Sequence, residues 1–171
     1  QSAHGLTIFE FAIVLAIGVV LIGAAVPAID GARRRLALDS AIHDVAAAVQ
    51  SARLRALSSG RTMRVRFNCP AAGQFRVVEV VGDAAIDNAA NRCDSAAYPY
   101  PDQNAGARPD LDGPIRVLRG GASFSQATNV DIAPTGRVTP AAGAVPVSII
   151  VIMGYDTQTF TLSAAGRISF Q

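Results

Sequence analysis

The chain has 171 residues, a formal net charge of +2 and a sequence pI near 8.9; half of its residues are hydrophobic and 16% are charged. That length holds one ordinary domain plus an appendage, and so weak a net charge calls for no strongly acidic or basic partner. Two His, no Gly-rich phosphate loop and no nucleophile elbow leave no catalytic constellation, so neither an enzyme nor a cofactor is expected.

The charge is unevenly spread. Eight Arg face three acids from Asp30 to Phe67, whereas seven Arg face nine acids from Asn68 onward. All fifteen basic residues are Arg, which reads as coding bias rather than as a site. Cys69, Cys93, His4 and His43 together are too few for a zinc centre, so no metal is expected. The two cysteines, in a chain expected to leave the cytoplasm, read instead as one disulfide closing a loop of about 25 residues. His43 and Asp44 are adjacent on a helix and point apart, so they form no dyad.

The chain opens on GLTIFEFAIVLAIGVVLIGAAVPAID, Gly5 to Asp30, in which Glu10 interrupts an otherwise apolar run. From Leu6 to Ile29 a helix would extend about 36 Å, enough to cross a bilayer. A secretory signal peptide is the rival reading, with small residues around Gly23–Ala24–Ala25 as an imitation cleavage site and a secreted binding domain behind it. The run is long for a signal peptide, and Glu10 is out of place in one. Pro27 would kink or end the helix, yet Leu38, Ile42, Val45, Val49, Ala52 and Ala56 recur at spacings of three and four, predicting an amphipathic continuation over 30–59. Ser58–Ser59–Gly60 supplies the stop.

After Gly60 the period falls to two. Strands are expected at Thr62–Phe67, Gln74–Val80, Ile115–Leu118, Ala122–Ser125, Val130–Ile132, Val145–Met153, Thr157–Ser163 and Arg167–Phe170, with a turn at Pro134–Arg137. Between them lies a long polar stretch, Gly82 to Gly113, which a compact domain tolerates only if it is tied down; Cys93 is the expected tie, to Cys69. The fold class is α+β: a long N-terminal helix, membrane half plus amphipathic half, beside a C-terminal antiparallel β-rich head over 60–171.

Gly5–Leu6–Thr7–Ile8–Phe9–Glu10, followed by an apolar run and Pro27, resembles the class III signal of type IV pilins and type II secretion pseudopilins. The resemblance implies a β-sandwich head and cleavage by prepilin peptidase between Gly5 and Leu6. Residues 1–5 would then be a leader remnant, with methylation of the new Leu6 amine and an inner-membrane helix over 6–29. Leu6 stands where Phe is commoner, and Phe9 where Ile or Leu is. Glu10 lies one helical turn from the amine that cleavage would expose, so the pair reads as an assembly key within a periplasmic filament. By the positive-inside rule Arg33, Arg34 and Arg35 favour the opposite orientation, so a periplasmic head requires basic residues upstream of Gln1.

The helix end SARLRALSSGRTMRVRF, the turn VDIAPTGRVTP and the terminal AAGRISF resemble the FimT/GspH, FimU-like, branch of minor pilins, which implies a place near a filament tip among other pilins or pseudopilins. Some members of that branch bind DNA through a Gly-Arg-x-Arg tail. Here Gly166–Arg167–Ile168–Ser169 lacks the second Arg, and a patch of Arg137, Arg167, Arg116 and Arg119 is the remaining candidate for nucleic-acid contact.

Overall fold

The computed structural model describes residues 8–100 and 108–171, without the side chains of 24–28. Gly5 and Leu6 therefore lie outside the described residues. Residues 1–36 and 37–171 form two compact units and are taken separately.

In the first unit the backbone is helical from Ile8, the start of α1 (Ile8–Ser59), and the helical assignment runs on through Pro27. Ile8 and Phe9 are 90% and 74% exposed, and Phe11, Val14, Val19, Val20, Leu21 and Ile22 are exposed as well. Among the described residues no helix is long and apolar enough to cross a membrane. The span expected to do so, 6–29, includes Leu6, Thr7 and the side chains of 24–28, which lie outside that description.

The second unit is the head. The remainder of α1 buries the predicted stripe in full: Leu38, Ile42, Val45, Val49, Ala52 and Ala56 are each 2% exposed or less, joined by Ala41 and Ala48. Four alanines in this stripe keep the helix surface low, so strands can approach closely and still interdigitate. The helix ends as expected. Gly60 has φ +68, a conformation that glycine alone adopts without penalty, and its N–H donates to the Ala56 carbonyl at 3.1 Å. The Ser59 hydroxyl donates to the Arg55 carbonyl at 2.7 Å.

Two antiparallel sheets complete the head. One has the order β3–β2–β1–β5–β6 and the other β4–β7–β8–β9, with β1 Met63–Phe67, β2 Gln74–Glu79, β3 Ile115–Val117, β4 Ser123–Gln126, β5 Val130–Ile132, β6 Val138–Pro140, β7 Val147–Met153, β8 Asp156–Leu162 and β9 Ile168–Phe170. Met63, Val65 and Phe67 point inward and Arg64 and Arg66 outward, the alternation a half-covered strand requires. The core joins the α1 stripe to side chains of both sheets, including Phe75, Ile132, Ile149, Val151, Phe160 and Leu162. Phe124 of β4 sits edge-on to both Phe67 and Phe75, at 5.0 and 6.0 Å between ring centroids.

Eight of the nine strands among the described residues fall where the period predicts, within about two residues. β6 escapes because it is three residues long and ends in proline; it pairs with β5 across the Pro134–Arg137 turn. Among the described residues of the polar stretch after Gly82 there is one short helix, α2 (Ala84–Asp87), capped by the Asp83 carboxylate. Cys69 and Cys93 are joined in a disulfide, the expected tie.

Candidate functional site

Glu10 lies in the first turn of α1 among the exposed apolar side chains of residues 8–22. A contiguous apolar surface of this kind is a surface to be covered rather than solvated. Pro27 lies within α1, its side chain outside the description.

The predicted arginines fall into three places. The Pro134–Arg137 and Ser163–Arg167 turns lie side by side, joined by the Val138 N–H to the Ala164 carbonyl at 2.9 Å. Arg53 of α1 reaches between them, so close that a Cβ on Gly136 would stand 3.0 Å from its Nε. Arg53 and Arg137 thus line one open cleft of about 390 Å³, and Arg167 is exposed on the neighbouring turn. Arg116 instead lines a separate small cavity with Arg55, and Arg119 pairs with Asp44 at 3.1 Å. The four arginines are therefore spread over three places: the turns that carry Arg137 and Arg167 adjoin, with Arg53, absent from the sequence expectation, between them, while Arg116 and Arg119 lie elsewhere.

A second arginine cluster was not anticipated. The outer face of β1 and β2 carries Arg64, Arg66 and Arg76, and it meets Asp87, Asn88, Tyr98 and Gly113 of the polar stretch. Arg76, 1% exposed, donates from Nε to the Gly113 carbonyl and from Nη2 to the Tyr98 carbonyl, both at 2.7 Å. Burial holds its guanidinium below the ordinary arginine range; Asp112 opposes that shift and Arg92 adds to it.

Arg92 is fully buried and grips Asp112 with both terminal nitrogens. It also donates to the Glu79 carbonyl at 3.0 Å and lies over the Tyr98 ring at 4.4 Å. Asp112 in turn accepts from the Glu79 N–H at 2.8 Å. The Glu79 carboxylate, itself fully buried, accepts from Arg61 at 3.3 Å, Arg108 at 2.7 Å and the Asp110 N–H at 3.1 Å. Arg64 pairs with Asp131 through Nε at 2.6 Å and Nη2 at 2.9 Å, a bond that raises its pKa. The buried Asp87 carboxylate holds the N–H groups of Val81 and Gly82, both at 2.9 Å. Alternating Arg on β1 and an acid-rich loop were the available signal, but not the pairing.

Among the described residues no group of three or more His, Cys, Asp or Glu is placed to hold a metal ion.

No protein-family profile matches the chain, and no curated protein matches it in sequence. Among solved structures it is similar to the type IV minor pilin FimU of Pseudomonas aeruginosa, at 15% identity and a TM-score of 0.50, over 80% of this chain and 90% of that one. The fold is type IV pilin-like. A second crystal form of FimU aligns at 14% identity and a TM-score of 0.46, over 78% of this chain and 92% of that one. The long helix and the antiparallel sheets behind it are the features expected of a pilin-like chain.

Removing one member of the buried Arg92–Asp112 pair leaves an uncompensated charge. Asp112→Asn is expected to destabilise the head by about 3–5 kcal/mol, read by chemical denaturation. Replacing both, by Arg92→Met with Asp112→Leu, is expected to restore much of that loss.

Proposed function

We propose that the chain is a minor pilin or pseudopilin, a structural subunit of a filament. The observation that carries this reading is the pilin-like fold, a long N-terminal helix followed by antiparallel sheets, together with the run of exposed apolar side chains on residues 8–22. In a filament those side chains pack against the helices of other subunits, and before assembly the segment 6–29 holds the precursor in the inner membrane with the head in the periplasm. Prepilin peptidase prepares it by cutting between Gly5 and Leu6, after which the Leu6 amine is methylated. Glu10 sets the register, since a carboxylate in apolar surroundings persists where it meets a cation and fixes which arrangement forms. The role needs neither catalysis nor a cofactor.

Type II secretion and type IV pili share this chemistry, and either filament fits the reading. A secreted binding domain behind an ordinary signal peptide is the competing account. Intact mass of the protein from cells with and without prepilin peptidase separates them. Processing at Gly5 predicts a mass beginning at methylated Leu6 that reverts to the longer form without the peptidase; an N-terminus near Ala25 would refute the proposal. Glu10→Leu is expected to leave processing and membrane level intact while reducing incorporation into filaments by tenfold or more, on the order of the 1.4 kcal/mol that a factor of ten represents.

One observation favours a second reading, contact with nucleic acid: Arg53 reaches between the turns that carry Arg137 and Arg167. Clustered cations suffice for phosphate contact, and such binding weakens steeply with salt. Salt-dependent DNA binding by the full chain, lost in Arg137→Ala with Arg167→Ala, is the expected outcome on this reading. No binding at low salt would dismiss it.

A further inference from the structure

A cleft of about 210 Å³ lies where β1 ends, bounded by Arg66, Asn68, the Cys69–Cys93 disulfide, Asn91 and Asn129. Arg66 is its anomaly. It stands directly opposite Arg76 across the β1–β2 ladder, a like-charge juxtaposition that a sheet normally avoids. Its neighbours Arg64 and Arg92 spend their guanidinium groups on Asp131 and Asp112, and Arg76 is held by two carbonyls. Arg66 forms no salt bridge or hydrogen bond among the described residues, and its Nη1 is sealed from solvent without a partner. Burial, with Arg64 and Arg92 adding their repulsion, holds its pKa below the ordinary arginine value. A half-buried cation in this state is stabilised by an anion that comes from outside the chain.

The asparagines around it point to the same ligand chemistry. The Asn129 side-chain oxygen is committed to the Phe67 N–H at 3.0 Å, and that of Asn68 to the Gly73 N–H at 3.3 Å. Each bond fixes the amide's orientation, with the oxygen on a backbone N–H, and neither amino group, a donor, makes a hydrogen bond among the described residues. Asn68 is held at φ +51, and the disulfide ties its neighbour Cys69 to the opposite wall at Cys93, so the donors sit on a braced frame. One charged fork and two amide donors match a planar oxyanion. Asp94 also lines the cleft, its Oδ1 committed to the Ala96 N–H at 2.8 Å, and its charge disfavours a dianion. We propose that this cleft is a carboxylate-binding site in which Arg66 supplies the charge and Asn68 and Asn129 supply flanking donors. The carboxylate is borne either by a free small acid or by the C-terminus of a partner polypeptide. The site stands independently of the filament reading.

The test is a titration of the ¹⁵N-labelled full chain in detergent micelles, followed at the Arg Nε–H and Asn side-chain signals at constant ionic strength. The probes are acetate, neutral acetamide, inorganic phosphate, and an N-acetylated dipeptide with its C-terminus either free or amidated. Acetate is expected to shift Arg66, Asn68 and Asn129 saturably while acetamide does not. Tighter binding of the free-ended dipeptide than of acetate supports the site with a chain terminus as its source; equal binding supports it with a free acid. Arg66→Gln and Asn129→Asp, the latter keeping the acceptor for Phe67, are each expected to weaken acetate roughly tenfold or more. Arg66→Lys keeps the charge without the fork and is expected to fall between. Strand amide signals report that each variant is folded. Absence of a saturable shift, persistence of it in Arg66→Gln, or tighter binding of phosphate than of acetate would overturn the proposal.

Discussion

The head depends on the burial of one stripe of α1, Leu38 to Ala56, against both sheets at once. Burying each of its larger side chains is worth roughly 1.5–3 kcal/mol, and its alanines share one core cluster with Met63, Val65 and Phe67 of β1 and Val147, Ile149 and Val151 of β7. Because the stripe is shared, neither sheet has a complete core alone. Phe67, Phe75 and Phe124 show this most clearly: strands from different sheets meet in one aromatic cluster over the same helix.

With the inner face committed to α1, the outer face of the β1–β2 ladder needs a different cover. The chain uses arginines. Arg76 of β2 donates to the Tyr98 and Gly113 carbonyls, Arg92 pairs with Asp112 and donates to the Glu79 carbonyl of β2, and Arg61 and Arg108 converge on the buried Glu79 carboxylate. Buried pairs of this kind add little net stability compared with apolar packing, but they fix which carbonyl meets which strand. The described parts of the 82–113 segment, largely irregular apart from α2, thereby acquire one arrangement, and the same demand for satisfied partners sets Arg66 apart from its neighbours.

Much of this was legible in the sequence because periodicity is local information. The spacing Leu38–Ile42–Val45–Val49 gave the buried stripe, alternation in Met63–Phe67 gave a strand with a covered face, and Gly60 gave the helix end. The cysteine pair was legible because few alternatives existed for two cysteines. The arginine network was not, since Arg92 meeting Asp112 and Arg76 meeting Tyr98 are set by how a long segment folds back, which no spacing encodes. The same limit explains Arg53, an unremarkable helix arginine until two distant turns close around it. β6 was lost for a different reason: three residues ending in proline carry no period.

On the filament reading, the two ends of α1 perform separate tasks. The C-terminal half is spent inside the head, and the N-terminal half offers apolar side chains around Glu10 to other subunits. The direct measurement is photo-crosslinking in cells from a crosslinking amino acid placed at Val14, on the exposed apolar part of the helix. The account predicts adducts with the N-terminal helices of other pilin-like subunits, dependent on an intact assembly machinery. Adducts unchanged when that machinery is removed, or a protein released to the medium without its first 24 residues, would contradict it.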